Sequence, residues 1–138
     1  HDSSLSAGIH AIVALRLGLE EQAWALWRKG AAKDLDVDSG AAAEGIHIAG
    51  AGCAWQVVVL GFAGLRTAMQ ADVLTLEPRL PRAWRRLAFP LVWKGTPLRV
   101  EITPGSCAIA NGGGAPLTAR VRGRELTVPA GAAAPVAL

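Results

Sequence analysis

Several residue types that mark common kinds of functional site are scarce or absent in this 138-residue sequence. It contains no tyrosine, two phenylalanines, one methionine and two cysteines. Its net charge is only +3, and the one short basic cluster consists of Arg79, Arg82, Arg85 and Arg86. A nucleic-acid interface needs a denser basic stripe and aromatic rings on which bases stack. We therefore expect no nucleic-acid partner and interpret the cluster as a solvated edge.

The two cysteines, Cys53 and Cys107, lie far apart, and neither belongs to a C-x-x-C pair. This spacing argues against a metal centre and against a thioredoxin-type redox site. We predict free, buried thiols in a reducing compartment, and hence a cytoplasmic protein.

No uninterrupted hydrophobic run is long enough to cross a membrane. The longest apolar stretch, residues 57–65, is broken by glycine and is too short to span a bilayer, so we expect no membrane partner. No signal peptide is recognisable, and the sequence begins with His1 rather than Met. Because it begins in what reads as the middle of a motif, we expect a fragment or the ordered part of a longer protein. Hydrophobic residues make up 51% and charged residues 18%, which predicts a packed globular chain.

The first half of the sequence has helical periodicity. The first predicted helix ends at Gly18, and its apolar residues recur at steps of three and four: Leu5, Ile9, Ile12, Val13 and Leu17. A second helix is predicted from residue 19 or 20 to Gly30, because acidic residues begin it and basic residues end it. A third, over about residues 52–69, is apolar on nearly every side and should be buried.

An acidic loop separates the second and third predicted helices. It carries Asp34, Asp36 and Asp38 within five residues. An EF-hand is excluded, because no glycine and distal glutamate fall at the required positions. We interpret the loop as a solvated or helix-capping segment and predict no metal.

The second half changes to a period of two residues, which is typical of half-exposed strands. Turn signals stand at Lys94-Gly95, Pro104-Gly105 and Arg122-Gly123, and the last of these predicts a hairpin. The tail, residues 129–138, is predicted to be frayed or loosely docked. Strands are predicted at residues 73–76, 87–93, 98–102, 107–109, 117–121 and 125–128.

The most informative run joins Glu44 and His47 through a cluster of glycines to the third predicted helix. A histidine in a Gly-rich loop at the mouth of a helix can hold an anion, because free backbone N–H groups and the positive helix end lie there. Gly45 has no Cβ to keep a ligand from the backbone. The hydroxyls of Ser3 and Ser4 open the chain at the start of another helix. We predict one anion pocket formed by both segments.

Five motifs, in the order in which they occur, resemble the C-terminal part of glycoside hydrolase family 65. They are HDSSLS at residues 1–6, DL at 34–35, EGIHIA at 44–49, WQVVVLGFAG at 55–64 and LPRAWRRLAF at 80–89. The resemblance extends over residues 1–128. That family contains maltose, trehalose and kojibiose phosphorylases, with some related hydrolases.

The resemblance implies an α+β chain, in line with helices followed by strands. Family members carry an N-terminal β-sandwich, an (α/α)6-barrel catalytic domain and a small C-terminal β-sheet domain. We therefore expect residues 1–72 to form the last helices of the barrel. Residues 73–138 are expected to form a small antiparallel β-sheet (β-sandwich) domain. The remaining N-terminal part of the same enzyme is then the partner of this chain.

Two positions depart from the family pattern. Family members usually carry an Asn-Thr pair shortly before the Glu-Gly-Ile-His run, where this chain has Ala41-Ala42-Ala43. Many also have Gly-Gly or Ala-Gly where this chain has Gly52-Cys53. On this basis we expect altered loop contacts and an unusual or degenerate subgroup.

By the same resemblance, the chain is part of an inverting phosphorylase that cleaves an α-glucosidic disaccharide with inorganic phosphate. The products are β-glucose 1-phosphate and a sugar. The general acid of the family is an upstream glutamate outside this sequence, so the chain alone should be inactive. Phosphate is the co-substrate, no cofactor is expected, and the full-length enzyme is expected to be a homodimer. This chain would bind phosphate, which needs hydroxyl, N–H and positive donors, through Ser3, Ser4, Gly45 and His47.

Each candidate residue also has a structural interpretation. Ser3 and Ser4 make good helix N-caps, and His47 can be a hydrogen-bonded structural histidine. Residues 1 and 2 are weaker candidates for ligand contacts. Glu44 is more often a capping or salt-bridge residue, and in a hydrolase of this family it would be the base that activates water. The five tryptophans can stack on sugars, but their spacing favours the core.

Two other functions stay open at this point. One is an α-glucoside hydrolase of the same family, such as a trehalase, in which water replaces phosphate. The other is a non-catalytic structural or interaction module whose β-sheet domain packs on a partner. Phosphate-dependent turnover separates the first from a phosphorylase, and restored activity with the missing N-terminal part separates the second from an enzyme.

Overall fold

The computed structural model describes residues 4–35, 45–66 and 72–138 of the chain. Over these ranges helices come first and strands follow, which confirms the predicted α+β class. The chain divides into two compact units, His1–Phe62 and Ala63–Leu138. The predicted division between barrel helices and β-sheet domain at residues 72 and 73 stays a prediction.

The described part of the first unit consists of three α-helices and a π-helical segment: α1 (Ser4–Arg16), α2 (Glu20–Ala31), α3 (Ile48–Gln56) and Val57–Phe62. Gly18 takes a left-handed conformation (φ +78°) between α1 and α2, as its predicted capping position requires. Glu20 and Glu21 lie in the first turn of α2, and Arg28 and Lys29 lie in its last turn. The charges therefore complement the helix dipole at both ends, as predicted.

The face of α1 that the protein buries differs from the predicted one. Of the five apolar residues expected to face the core, Ile12 is buried, whereas Ile9, Val13 and Leu17 are 51%, 46% and 69% exposed. The side chain of Leu5 lies outside the described residues. The other buried hydrophobic residues of α1 are mostly small: Ala7, Ala11, Ala14 and Leu15.

Close contact between α1 and α3 explains this choice of face. A Cβ added to Gly8 would collide with Sγ of Cys53 on α3. Glycine and alanine are the residues that allow two helix backbones to approach this closely. The small residues therefore turn inward together with Ile12 and Leu15, and Ile9, Val13 and Leu17 remain outside.

The third predicted helix, residues 52–69, is wrong in its extent. α3 begins earlier, the chain then winds into the π-helical segment, and Leu65–Arg66 already forms a strand. Gly64 adopts a left-handed conformation (φ +66°), which ends the helical stretch. Residues 67–69 lie outside the described residues.

The expectation that this helix is buried throughout is also wrong. The π-helical segment buries Val57, Val59 and Phe62, but Trp55 on α3 is 63% exposed. The contacts of α3 with α1 and α2 involve one side of the helix, where Gly50 and Cys53 are buried. Within the described ranges, no helix combines the length and the apolarity that crossing a membrane requires.

The second unit contains two four-stranded sheets in the described residues. In spatial order, the first sheet consists of β1 (Leu65–Arg66), β2 (Leu74–Leu76), β6 (Leu117–Val121) and β7 (Arg124–Val128). The second consists of β3 (Leu87–Trp93), β4 (Thr96–Thr103), β5 (Ser106–Asn111) and β8 (Ala133–Ala137). All pairs of the second sheet are antiparallel.

Two predicted tight turns are confirmed by their backbone geometry. Lys94 and Gly95 have φ of +48° and +80° between β3 and β4, and Arg122 and Gly123 have φ of +47° and +75° between β6 and β7. Positive φ at both central residues is the geometry of a type I′ turn, whose twist matches that of the flanking strands.

One strand pair departs from the predicted antiparallel sheet. β2 and β6 are parallel, with Leu74 opposite Ala119 and Leu76 opposite Val121. These strands are not joined by a tight turn, because β3, β4 and β5 intervene in the sequence. A long connection of this kind permits parallel pairing, which a hairpin does not.

The prediction of a frayed tail is wrong. β8 pairs antiparallel with β5, with Ala133 opposite Ala110, and the amide of Leu138 donates a hydrogen bond to the carbonyl of Gly105 (3.1 Å). The outer edge of β5 presents backbone N–H and C=O groups that need partners. An Ala- and Pro-rich segment can satisfy them through its backbone, without the side chains that usually mark a strand.

The core of the second unit lies between the apolar faces of the two sheets, and Asn111 links them. Its side chain, on a residue 2% exposed, donates to the carbonyls of Ala115 (2.8 Å) and Val128 (3.2 Å) and accepts from the amide of Gly113 (2.9 Å). Val128 belongs to β7, so this contact connects one sheet to the other. A buried amide with this many partners stabilises the pairing that it specifies.

Replacing Asn111 by alanine should lower the free energy of unfolding by about 2–3 kcal/mol, because the buried carbonyl of Val128, the carbonyl of Ala115 and the amide of Gly113 lose their partner. The matched control is Thr118→Ala at an exposed position of β6, with an expected change within about 0.5 kcal/mol. Urea unfolding measures both. Equal midpoints for the two variants would contradict the role of Asn111.

Candidate functional site

His47 lies directly before α3, at the N-cap position of that helix. The first backbone N–H groups of a helix have no partner within the helix, and the helix dipole places partial positive charge beside them. His47 does not cap α3 with its side chain. Its imidazole therefore stands at the positive end of α3 and is available for another contact.

Asp34 holds His47 in two places. Its Oδ1 lies 2.5 Å from Nδ1 of the imidazole, and its Oδ2 accepts a hydrogen bond from the backbone N–H of His47 at 2.9 Å. The side chain of Asp34 is 23% exposed and that of His47 is 33% exposed, so the pair is partly shielded from water. One carboxylate thus fixes both the backbone and the ring of the residue that begins α3.

The electrostatics of this pair favour an ionised carboxylate. The hydrogen bond from the His47 side chain holds the pKa of Asp34 below its ordinary value, and the backbone N–H of His47 acts in the same direction. Partial desolvation opposes this shift and is outweighed. Asp34 is consequently a hydrogen-bond acceptor at neutral pH. Because its carboxylate can only accept, the Nδ1 atom of His47 that it contacts must carry the proton.

With Nδ1 bound to Asp34, Nε2 is the ring nitrogen that can reach a ligand. Gly45, two residues earlier, is exposed and adopts φ +102°, a conformation that a residue with a side chain rarely takes. A Cβ at that position would meet no atom within 4 Å, so the space beside the backbone is open. An imidazole, a helix N-terminus and open backbone together can bind an anion.

The other predicted site residues fall where the structure gives no side chain. Ser3, Glu44 and Ala41–Ala43 lie outside the described residues, as do residues 1 and 2. Ser4 begins α1, and its side chain is also outside the description. The convergence of the serine hydroxyls on the imidazole of His47 therefore stays a prediction.

The structure adds Asp34 to the site, and composition gave no indication of it. Asp34 is the first of three closely spaced aspartates, and the sequence pattern indicated a solvated loop or a helix cap. The partner that the structure gives it is His47, a residue 13 positions later. The one usable signal was the inclusion of Asp34 in the second of the five family motifs.

Two of the five tryptophans are partly buried in an aromatic cluster, whereas Trp55 is 63% exposed, so the core role expected from the spacing is wrong for Trp55. Trp24 and Trp27 stack with ring centroids 5.1 Å apart, and each meets Phe62 edge-on at 6.2 and 5.9 Å. The indole N–H of Trp27 donates to the carbonyl of Ala54 (3.1 Å), which ties α2 to α3. This aromatic cluster packs α2 against α3 and the π-helical segment, the elements that follow His47 in the chain.

The cysteines are free and buried, as predicted. Burial raises the pKa of the Cys107 thiol to about 11, and desolvation also raises the pKa of Cys53. Burial therefore favours the neutral thiol at both positions over the thiolate, which is the nucleophilic form. Among the described residues, no three His, Cys, Asp or Glu side chains lie close enough to hold a metal ion.

Comparison with known protein families matches both units. The central catalytic domain of glycosyl hydrolase family 65 matches residues 1–56, and the C-terminal domain of the same family matches residues 65–128. The Asp34–His47 pair thus lies in the part that matches the catalytic domain, and the two sheets lie in the part that matches the C-terminal domain.

Individual relatives agree with this assignment. Kojibiose phosphorylase from Escherichia coli (strain K12) is 41% identical over 128 residues, which cover 93% of this chain. The 1,2-alpha-glucosylglycerol phosphorylase from Bacillus selenitireducens is 40% identical over 116 residues, or 80% of the chain. A solved structure described as a kojibiose phosphorylase from human microbiome matches the whole chain with a TM-score of 0.88 and 29% identity. The chain spans only 16%, 15% and 18% of the lengths of these three proteins.

Proposed function

The chain belongs to glycosyl hydrolase family 65, and we propose that it forms part of an inverting disaccharide phosphorylase. The enzyme cleaves an α-glucosidic disaccharide with inorganic phosphate and yields β-glucose 1-phosphate and a sugar. This chain contributes the phosphate-binding side of the active site. The remaining N-terminal part of the enzyme contributes the sugar-binding side and the general acid.

The observation that carries this proposal is the placement of His47. Its imidazole is fixed by Asp34 at the positive end of α3, beside the open backbone at Gly45. Oxyanions bind where N–H donors and positive partial charge point at one place. The phosphorylase relatives act on different glucosides, and the reagent that their names share is phosphate.

In the proposed reaction, His47 holds phosphate opposite the leaving group. Nε2 contacts one phosphate oxygen, and the N–H groups at the start of α3 and the hydroxyls of Ser3 and Ser4 bind others. Gly45 lets the backbone approach the anion. A phosphate held in line attacks the anomeric carbon from the face opposite the departing sugar, which inverts the configuration. The reaction needs no cofactor, since phosphate is both nucleophile and co-substrate.

Exposed apolar side chains on α1 support a partner within the same enzyme. Ile9, Val13 and Leu17 follow one another along one side of the helix, and each is about half exposed or more. Exposed apolar residues arranged in this way favour packing against further protein. We expect the remaining N-terminal part of the enzyme to cover them, and we expect the full-length enzyme to be a cytoplasmic homodimer.

The experiment is a measurement of products from the full-length enzyme with α-linked glucose disaccharides, with and without inorganic phosphate. We expect glucose 1-phosphate to form only when phosphate is present, in the β configuration when observed by proton NMR before it equilibrates. Release of free glucose at the same rate without phosphate would replace this proposal with the hydrolase. A full-length protein that turns over no α-glucoside would favour the non-catalytic module.

A further inference from the structure

The Asp34–His47 pair carries an inference about a residue that does not itself touch phosphate. We propose that Asp34 is a positioning residue for phosphorolysis, which holds the His47 imidazole with Nδ1 protonated and Nε2 presented to phosphate. This inference rests on the proposed function, because it assigns Asp34 a part in the phosphate step.

The first argument is geometric. An imidazole on a single side-chain bond can rotate, and its two nitrogens can exchange places through a ring flip. Asp34 removes this freedom, since its Oδ2 holds the His47 backbone N–H while its Oδ1 holds Nδ1. A carboxylate bound to both cannot follow the ring to another rotamer without losing a bond. The position of Nε2 is therefore set before a ligand arrives.

The second argument concerns the proton. A carboxylate at Nδ1 stabilises the Nδ1–H form, so that Nε2 is the nitrogen left to contact phosphate. When Nε2 is also protonated, the ring is a cation that donates a hydrogen bond to phosphate, and Asp34 balances its charge. A carboxylate orients the histidine in the same way in hydrolytic triads and in histidines that bind metal ions. An amide in place of the carboxylate would keep the shape and lose both the charge and one of the two acceptors.

The test is a double-mutant cycle in the full-length enzyme. Asp34→Asn should lower kcat/KM for phosphate about tenfold, as loss of a supporting carboxylate behind a ligand histidine typically does, with the KM for the disaccharide unchanged. In the His47→Ala background, Asp34→Asn should have less than about a twofold further effect, because Asp34 acts through His47. The matched control is Asp72→Asn, which removes an exposed carboxylate that pairs with Lys94 at 2.7 Å, and it should leave kcat/KM unchanged.

Additive losses in the cycle would overturn the inference, since Asp34 would then act independently of His47. An Asp34→Asn enzyme with wild-type kinetics would overturn it as well. A second measurement needs no folded Asp34 variant. In enzyme labelled with ¹⁵N-histidine, the signals missing from His47→Ala belong to His47, and we expect a proton on Nδ1. An unprotonated Nδ1 would contradict the proposal.

These outcomes separate the inference from the proposed function. If the wild-type enzyme needs phosphate and the cycle is additive, the phosphorylase stands and only the role of Asp34 fails. If the wild-type enzyme releases sugar without phosphate, the phosphorylase fails. The inference for phosphate then fails with it, whereas a protonated Nδ1 would still establish that Asp34 orients the ring.

Discussion

Replacing His47 by alanine in the full-length enzyme should lower kcat/KM for phosphate by about a hundredfold, the effect of removing one donor to a developing or bound oxyanion. The KM for the disaccharide should change by less than about threefold, because the proposal assigns sugar binding to the remaining part of the enzyme. Initial rates measured over a grid of phosphate and disaccharide concentrations separate the two constants.

The matched control is His10→Ala, which removes an exposed histidine from α1 and should leave both constants unchanged. The thermal stability of both variants must be compared with that of the wild type, because His47→Ala also removes the ring that pairs with Asp34. A His47→Ala enzyme with unchanged phosphate kinetics would remove His47 from the site. A parallel loss for both substrates would instead indicate a general disturbance of α3.

The sequence predicted those helices and turns that depend on residues close together in the chain. The charges at the two ends of α2 and the glycine after α1 gave both helices, and Arg122-Gly123 gave a hairpin whose turn has the expected positive φ. The free, buried state of both cysteines agrees with the prediction made from the lack of a C-x-x-C pair. Each depends on residues within a few positions of one another, where propensity and turn chemistry act.

The elements that the sequence did not predict depend on contacts between distant residues. β8 exists because β5 offers an open edge, and its own Ala-rich sequence carries no strand signal. The inward face of α1 is set by the close approach of Gly8 to Cys53, 45 positions apart in the sequence. Asp34 is part of the candidate site for the same reason, since only the fold brings a loop carboxylate to the residue that begins α3. Periodicity reports a preference for burial but does not identify the partner.

Gly64→Ala should be the most destabilising single-methyl change in the described part of the second unit, with a loss of more than about 4 kcal/mol in the free energy of unfolding. Gly64 has φ +66°, which disfavours any side chain, and its added Cβ would collide with the carbonyl group of Glu77 and lie 2.8 Å from the Glu77 Cα. The same two residues are joined by a hydrogen bond from the Glu77 amide to the Gly64 carbonyl (3.0 Å). Because the obstacle is backbone, the methyl group can be accommodated only by separating β1 from β2.

Gly95→Ala is the matched control, because Gly95 also has a left-handed φ (+80°) but its added Cβ would meet no atom within 4 Å. That variant should lose only the conformational preference of glycine, about 1 kcal/mol. The difference in free energy between the two variants, from urea unfolding with a shared m-value, then isolates the collision with Glu77. Equal losses would show that β1 and β2 separate easily. The pairing of β1 with β2 would in that case contribute little to the stability of this unit.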